Sequence, residues 1–343
     1  MTTLRTRLRW NIAVIALIAG SAGAFLWWGG QLRSHARNEP LQCALPAQPA
    51  GAAHPGMVWI AGGSFEFGDT TYAEEQPVRT VTVSGFWMDR TEVSNDEFAV
   101  FAKATGYVTV AERAVDAALH PGTPSDLQKP GAVVFVMPND TNGKGQITQW
   151  WRYIPGANWR HPGGPQTSIE GHGAFPVVTV TIEDAQAYAR WKGSTLPSEA
   201  QWEWAARAGQ TRAAQDHDQP KQANTWQGLF PVANSAEDGF VGLAPTGCYP
   251  PNASGLFDMI GNVWELTTDL YQPHHRDIHG TVPDQVPSGL RAGQPAQRVI
   301  KGGSFLCAPN YCMRYRSGAR QPQDEDLGAS HLGFRTILIA PAP

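Results

Sequence analysis

The chain has 343 residues, which is enough for one large domain or two ordinary ones. Its formal net charge of −4 and the absence of a strongly basic run argue against a nucleic-acid partner. Charged residues make up only 16% of the chain, whereas it contains 36 glycines, 27 prolines and 13 tryptophans. This composition predicts a compact, loop-rich globular fold that is stabilised by aromatic packing rather than by long helices.

Residues 1–30 are predicted to be a membrane anchor or a signal peptide. An arginine-rich flank precedes an apolar run at 12–28, and such a flank orients the amino end toward the cytoplasm. Residues 22–24 resemble a signal-peptide cleavage site, so a cleaved signal peptide is the alternative. We favour an uncleaved anchor because the apolar run continues past that site. Both interpretations export the rest of the chain to the periplasm or the extracellular space.

Residues 31–55 are predicted to be a linker, since several prolines interrupt any helix and alanine and glycine fill the gaps. Cys43 lies in this segment and is interpreted as an incidental thiol. The sequence from 56 to 343 contains no further linker and no internal repeat. We therefore predict a single domain over 56–343.

The first elements of this domain are a strand and a helix. Residues 78–83 alternate and are rich in β-branched side chains, which predicts a strand. Ser94 and Glu97 form a capping box ahead of an apolar pattern that starts at Phe98, which predicts a helix.

Three further elements are predicted before residue 210. Residues 177–181 are predicted to be a strand, and residues 183–191 a helix that ends near Gly193. A capping box at 198–201 predicts another helix through Arg207. Beyond Gly209 the sequence predicts mostly turns. The fold class that follows is α+β, with little regular secondary structure.

Cys307 and Cys312 form the most informative local pattern. Two soft thiolates five positions apart can bind Cu(I) or zinc, although zinc usually needs more ligands than this segment supplies. The alternative is a structural disulfide, which an exported domain permits. The spacing alone leaves the two possibilities open.

Several sequence blocks around this pair recur in one known family. Two carry distinctive motifs: Gly-Asn-x-Trp-Glu at 261–265, and Arg-Val-x-Lys-Gly-Gly-Ser at 298–304, which leads into the cysteine pair. The other blocks are at 63–68, 88–95, 156–162, 196–203, 224–228 and 332–335. From about residue 57 to 336 the chain resembles the formylglycine-generating enzymes, also called sulfatase-modifying factors. The resemblance implies their loop-rich domain, which belongs to the C-type-lectin-like superfamily.

The resemblance also implies an activity. Members use dioxygen to convert the cysteine of a Cys-x-Pro-x-Arg segment, in an unfolded or nascent sulfatase, to Cα-formylglycine. Cys307 and Cys312 would bind Cu(I), and the client cysteine would complete the site. Copper supplies one-electron dioxygen chemistry that side chains lack. A thiol reductant would keep the pair reduced outside the cytoplasm.

By the same resemblance, Ser304, Tyr311 and Trp264 line the catalytic site. Without the resemblance, these three would be interpreted as a turn hydroxyl and two core aromatic residues.

Two structural calcium ions are implied as well, since calcium binds a mixture of carboxylate and carbonyl oxygens. The alternative is that these Asn and Asp residues form turns by bonding to their own backbone. The implied ligands are the side chains of Asn224, Asp238, Asp258 and Glu265 and the carbonyl groups of Thr225, Phe240, Gly261 and Val263.

Five basic residues are candidates for contacts to a peptide: Arg160, His161, Arg314, Arg316 and Arg320. Each has the alternative of a surface charge or an internal ion pair, and only Arg316 and Arg320 are favoured as peptide contacts.

Departures from the family pattern leave peptide specificity and turnover open. Ala308, Asn310 and Leu266 replace residues that are usual in the family, but none of these changes removes a copper ligand.

Two other functions remain as alternatives to the oxidase. One is a non-catalytic peptide- or copper-binding protein on the same fold. The other is an iron-dependent sulfur oxidase, which would need a histidine-rich site that the ten histidines do not form in sequence.

Overall fold

The computed structural model describes residues 43, 45–48, 52–114, 124, 128–141, 145–210, 218–275, 296–339 and 341–342. These residues form three α-helices and eleven strands. The helices are α1 (Asn95–Thr105), α2 (Ile182–Lys192) and α3 (Glu199–Arg207). The strands are β1 (Met57–Ile60), β2 (Gly63–Phe67), β3 (Arg79–Val83), β4 (Phe86–Asp89), β5 (Gly131–Phe135), β6 (Trp151–Pro155), β7 (Trp264–Leu270), β8 (Gln297–Lys301), β9 (Arg320–Asp324), β10 (Leu332–Gly333) and β11 (Ile337–Leu338).

The strands form four small sheets, and long loops connect them. The largest sheet has the order β10-β7-β8-β9, and a second sheet has the order β1-β4-β11. Two antiparallel hairpins, β2-β3 and β5-β6, complete the set. Few helices and many short strands confirm the predicted α+β, loop-rich fold.

Side-chain caps define where each helix begins. Ser94, Thr181 and Ser198 each accept a hydrogen bond from the backbone N–H three residues later, and each helix start has a complete capping box. Gly106 and Gly193 end α1 and α2 in the left-handed conformation. The three predicted helices are therefore confirmed, and so is the strand predicted at 78–83.

The strand predicted at 177–181 is wrong. This segment is fully buried, but Thr179 has a φ of 58°, which interrupts the extended backbone. Its backbone bonds go instead to separate partners: Val177 N–H donates to the Val93 carbonyl, and Thr179 N–H to the Ala329 carbonyl.

The prediction of mostly turns beyond Gly209 is also incomplete, because the largest sheet lies there. β7 and β8 pair with a register shift between Leu266 and Leu270, so neither strand shows a clean alternation. β9 contains Pro322, which is tolerated because β9 is an edge strand.

The main apolar core lies between α1, α2 and the largest sheet. It includes Phe98 and Phe101 from α1, Tyr188 from α2 and Trp264 from β7, and the cysteine pair borders it. Aromatic rings contact one another edge-on or stacked across this core. This packing holds the cysteine-bearing loop against rigid elements.

Cys43 forms a disulfide with Cys248, 205 residues later in the chain. The interpretation of Cys43 as an incidental thiol is therefore wrong, and sequence spacing could not reveal so distant a partner. The neighbouring segment also contacts the domain. Arg90 donates to the Pro46 carbonyl at 2.8 Å, and Gln48 donates to the Met57 carbonyl at 2.8 Å.

Replacing Cys43 and Cys248 together by serine is expected to lower the free energy of unfolding by about 2–5 kcal/mol, because the bond restricts a long stretch of unfolded chain. Urea unfolding with and without dithiothreitol measures the effect. The reductant should destabilise the wild type by the same amount and leave the double variant unchanged. A loss below about 0.5 kcal/mol would contradict this account.

Among the described residues, no helix combines the length and the apolar character needed to cross a membrane. The anchor or signal peptide predicted at 1–30 lies outside the described residues, as does most of the linker predicted at 31–55. These boundaries stay predictions.

Candidate functional site

The cysteine pair lies on a tight loop that follows β8. Gly303 has a φ of 78°, and a side chain there would bring a Cβ within 2.9 Å of the Arg314 carbonyl oxygen. Two turns then follow, because Cys307 N–H donates to the Ser304 carbonyl and Cys312 N–H to the Ala308 carbonyl, each at 2.9 Å. They bring the Sγ atoms of Cys307 and Cys312 to 2.6 Å from each other, as free thiols.

Both thiols are buried at the wall of a cavity of about 440 Å³. Sequence-distant elements contribute to it: β5, β6, β7, β9, the cysteine loop and the segment before β10. The structure therefore brings all five predicted catalytic residues to one cavity, whose lining includes Trp264, Ser304, Cys307, Tyr311 and Cys312.

The two thiols differ in acidity. Burial and the adjacent Cys312 raise the pKa of Cys307 well above its ordinary value. A hydrogen bond from Cys307 lowers the pKa of Cys312, and Arg314 adds to this effect against the opposing effect of burial. The neighbouring thiol and Arg314 thus favour the thiolate of Cys312, and the thiolate is the form that binds metals.

The aromatic residues of the site have distinct positions. Trp264 starts β7 and is buried beneath the cavity. Tyr311 is 40% exposed at the cavity, and its ring stacks on Phe230 with centroids 4.0 Å apart. Phe230 in turn contacts Trp150 and Trp226, so Tyr311 rests on an aromatic cluster.

His331 is a cavity residue that the sequence analysis missed. Its Nδ1 lies 3.3 Å from Ser304 Oγ, and its ring lies 4.6 Å from that of Trp151. His331 is partly buried, and desolvation lowers the pKa of its ring below the ordinary value, which favours the neutral ring. His331 is far in sequence from the cysteines, so spacing could not link it to them. The one sequence feature that pointed to His331 as a site residue is its position directly before the 332–335 block.

Arg316 and Arg320 are not peptide contacts, so that prediction is wrong. Both are buried in internal ion pairs. Arg316 pairs with Asp69 at 2.5 Å and with Glu75 at 2.6 Å, and Arg320 pairs with Glu199 at 2.8 Å. Arg316 therefore connects its loop to the segment at 69–75, and Arg320 connects β9 to the start of α3.

Arg314, by contrast, lines the cavity. Its Nη2 lies 2.5 Å from a Glu74 carboxylate oxygen, and its guanidinium lies over the ring of Tyr72. Arg160 and His161 do not line the cavity: Arg160 pairs with Glu112, and His161 Nδ1 contacts the Thr167 carbonyl.

The first predicted calcium group lies in one connected loop. Asp238 accepts hydrogen bonds from the N–H groups of Thr225 at 3.0 Å and Phe240 at 3.2 Å. The Asn224 side chain donates to the Gly242 carbonyl at 2.9 Å. The hydrogen bond from the Phe240 N–H to the Asp238 carboxylate closes a local turn. Such a turn is what the alternative interpretation predicts, in which Asn and Asp side chains bond to nearby backbone. Burial raises the pKa of Asp238, so a cation would favour its charged form.

The second predicted calcium group lies beside a buried ion pair. Both oxygens of Glu265 bind Arg335 at 2.7 Å. Asp258 accepts the Gly247 N–H at 2.5 Å, and burial raises its pKa to about 6. Glu92 adds a third buried carboxyl group, which the sequence analysis missed. Its pKa is raised well above the ordinary value by burial and by Asp258.

One Glu92 oxygen has no hydrogen-bond partner among the described residues. The guanidinium of Arg335 thus faces three buried carboxyl groups, those of Glu92, Asp258 and Glu265. Because one cation accompanies three buried carboxyl groups, a second cation fits this site. Within the described ranges, no three His, Cys, Asp or Glu side chains are grouped so as to hold a metal ion alone. A calcium ion here would need carbonyl ligands too, and Gly261 and Val263 lie on the turn that leads from Asp258 into β7.

Asn262 connects the two acidic groups. Its backbone N–H donates to the Asn224 carbonyl at 2.8 Å, and its Oδ1 accepts a hydrogen bond from the Asn224 side chain at 3.0 Å. Its Nδ2 donates to Glu92 at 3.0 Å. This buried amide explains why Asn stands in the Gly-Asn-x-Trp-Glu motif.

Comparisons with known proteins identify similar sequences and folds. The family model described as "Sulfatase-modifying factor enzyme 1-like domain" matches residues 42–340. The "Formylglycine-generating enzyme" of Mycobacterium tuberculosis is 47% identical over 82% of this chain and 97% of its own length. The mouse protein of that name is 42% identical over 85% of this chain and 77% of its own length.

Two further relatives qualify this result. The mouse protein named "Inactive C-alpha-formylglycine-generating enzyme 2" is 34% identical over 85% of this chain and 88% of its own length. The structure of PvdO from Pseudomonas aeruginosa matches with a TM-score of 0.55 and 24% identity, covering 82% of this chain and 93% of that one. The PvdO match supports the fold alone.

Proposed function

The chain belongs to the formylglycine-generating enzymes, the sulfatase-modifying factor family, and on this basis we propose that it oxidises a cysteine of a client sulfatase to Cα-formylglycine. The observation that carries the proposal is the pair of free thiols of Cys307 and Cys312 at the wall of one cavity. A polypeptide substrate must reach the cavity from solvent. Tyr311 lines the cavity and is 40% exposed, so the cavity is accessible at this residue.

The finer proposal is that Cys307 and Cys312 hold Cu(I) and that the client segment has the sequence Cys-x-Pro-x-Arg. Two soft thiols without a nearby carboxylate in the described lining fit Cu(I) as a donor set. Bound copper would supply the one-electron chemistry with dioxygen.

The chain's own residues bind and orient the client. Tyr311, whose ring stacks on Phe230, and the buried Trp264 give the cavity an apolar lining. Arg314 keeps positive charge near the thiolates and lowers the pKa of Cys312. Ser304 is fully buried on the same loop as Cys307, and its backbone carbonyl accepts the Cys307 N–H at 2.9 Å.

The test is an aldehyde assay on the full chain loaded with Cu(I). A Cys-x-Pro-x-Arg peptide is incubated in air with a thiol reductant, and the aldehyde is trapped with an aminooxy probe and detected by mass spectrometry. The matched peptide with serine in place of cysteine is the control. Aldehyde only from the cysteine peptide supports the proposal. Peptide binding without any aldehyde would favour the alternative, a non-catalytic binding protein.

Export is proposed together with this function. The Cys43–Cys248 disulfide indicates an oxidising compartment. A membrane anchor at 1–30, a client sulfatase that is still unfolded and an external thiol reductant belong to the same proposal.

We also propose two structural calcium ions, one at each acidic group. Calcium at 100 times its dissociation constant should stabilise the protein by about 2.7 kcal/mol at each site. Thermal unfolding with calcium and with a chelator measures this effect. Asp238→Ala should lose much of the calcium-dependent rise in Tm, whereas the neighbouring control Glu237→Ala should retain it. An identical Tm with calcium and with chelator would refute the proposal.

A further inference from the structure

His331 is fixed at the cavity through both its backbone and its ring. It directly precedes β10, and its carbonyl oxygen accepts the Trp264 N–H at 2.8 Å. Its ring packs at a tilt of 58° against Trp151 from β6. The function proposed above gives His331 no role, although it is the histidine that lines the cavity wall.

The surroundings of Ser304 determine the direction of its hydrogen bond to His331. The Ser304 side chain is fully buried. Its Oγ lies 3.3 Å from the Leu306 backbone nitrogen, which can only donate, so Oγ is the acceptor there. The hydroxyl hydrogen also needs an acceptor in a buried site, and His331 Nδ1 at 3.3 Å is the one that the described residues provide.

We propose that His331 is a positioning residue for the oxidation, accepting the Ser304 hydroxyl hydrogen at Nδ1 as its neutral Nε2–H tautomer. With its hydrogen committed to His331, Ser304 presents an oxygen lone pair to the cavity rather than a donor. That lone pair is suited to accept a hydrogen bond from the thiol of the client cysteine, which has a weak S–H donor. This inference rests on the proposed function, because it concerns the oxidation of the same client cysteine.

The acidity of His331 distinguishes positioning from proton transfer. Its pKa of about 3 keeps Nδ1 unprotonated and available at neutral pH. The same low basicity prevents the ring from keeping a proton taken from the client, because a free cysteine thiol has a pKa of about 8.5. With Nδ1 engaged by the Ser304 hydroxyl at 3.3 Å, His331 orients that hydroxyl.

Three substitutions separate these roles. In His331→Asn, the amide oxygen takes the position of Nδ1 and can still accept from Ser304. In His331→Gln, the amide lies where Nε2 was, and His331→Leu has no acceptor. We expect Asn to keep kcat within about threefold of the wild type, and Gln and Leu to lower it about tenfold, the value of one oriented hydrogen bond. KM and the Cu(I) affinity measured with a competing chelator should change little, whereas Gln and Leu should also lower the Tm, because they leave the buried Ser304 hydroxyl without an acceptor.

A purely structural role would give a different pattern. If Asn were as impaired as Leu, or if the losses appeared in KM rather than in kcat, the proposal would be overturned. The effect should also depend on Ser304: adding His331→Leu to Ser304→Ala should cause no further loss of kcat, and multiplying losses would count against it.

Nitrogen-15 NMR of the histidine rings gives a readout that does not need turnover. We expect a non-protonated, hydrogen-bonded Nδ1 for His331 that changes in Ser304→Ala. A protonated Nδ1 would overturn the inference. If the wild type forms no aldehyde, the proposed function fails, and the NMR result still decides the Ser304–His331 hydrogen bond.

Discussion

Replacing Cys307 or Cys312 by serine is expected to lower aldehyde formation by roughly 100-fold or more. Replacing a residue that only hydrogen-bonds to a metal ligand typically lowers metal affinity or activity about 10–100-fold. Loss of one of the two proposed protein ligands should therefore lower activity by more than that. The hydroxyl of serine is a hard donor that stays protonated at neutral pH, and it cannot replace a thiolate for Cu(I). Each variant should also fail to retain the Cu(I) ion that we propose for the wild type.

The control replaces the other two cysteines, in the Cys43→Ser, Cys248→Ser variant. Assayed below its lowered Tm, it should bind copper and form aldehyde within about threefold of the wild type, since its disulfide lies outside the cavity lining. Copper retention and aldehyde formation that persist in Cys307→Ser would exclude the thiol pair as the metal site.

Replacing Arg335 by methionine is expected to lower the free energy of unfolding by about 3–5 kcal/mol, because it leaves buried carboxylates without their cation. The Arg335 side chain is fully buried and donates to both oxygens of Glu265. It also favours the charged form of Asp258. Urea unfolding in the presence of a chelator measures this term without a contribution from calcium.

An exposed pair supplies the control for this substitution. Arg113 and Glu183 are 2.7 Å apart, but their side chains are 43% and 55% exposed. Arg113→Met should therefore change stability by less than about 1 kcal/mol. The double variant Arg335→Met, Glu265→Leu should recover part of the loss, because it removes one unpaired charge. Equal effects of Arg335→Met and Arg113→Met would contradict the role assigned to the buried pair.

Local sequence signals predicted the helices well because their information is local. Ser94 with Glu97 and Ser198 with Gln201 specify helix starts within four residues. The β7–β10 sheet was missed because its strands are paired by contacts across long loops, and because its bulge and Pro322 hide the alternation. Thr179 shows the opposite error, since a β-branched run is bent by one left-handed residue.

For the candidate site, the family motifs placed all five predicted catalytic residues at one cavity. They did not predict His331, Glu92 or the partner of Cys43, because each acts through residues that are distant in sequence. The prediction that Arg316 and Arg320 contact the peptide was wrong for a physical reason. The sequence does not show whether a guanidinium faces solvent or a buried carboxylate, and both of these face buried carboxylates.

The Cys43–Cys248 disulfide joins the two cysteines that come first along the chain. Of the single disulfides that four cysteines can form, only Cys43–Cys248 leaves both Cys307 and Cys312 free. A chain synthesised and exported from its amino end presents Cys43 first and Cys248 next, before residues 307–312 follow. In the export that we propose, the Cys43–Cys248 bond can therefore close before Cys307 and Cys312 emerge, which would keep these two thiols from pairing with Cys43 or Cys248.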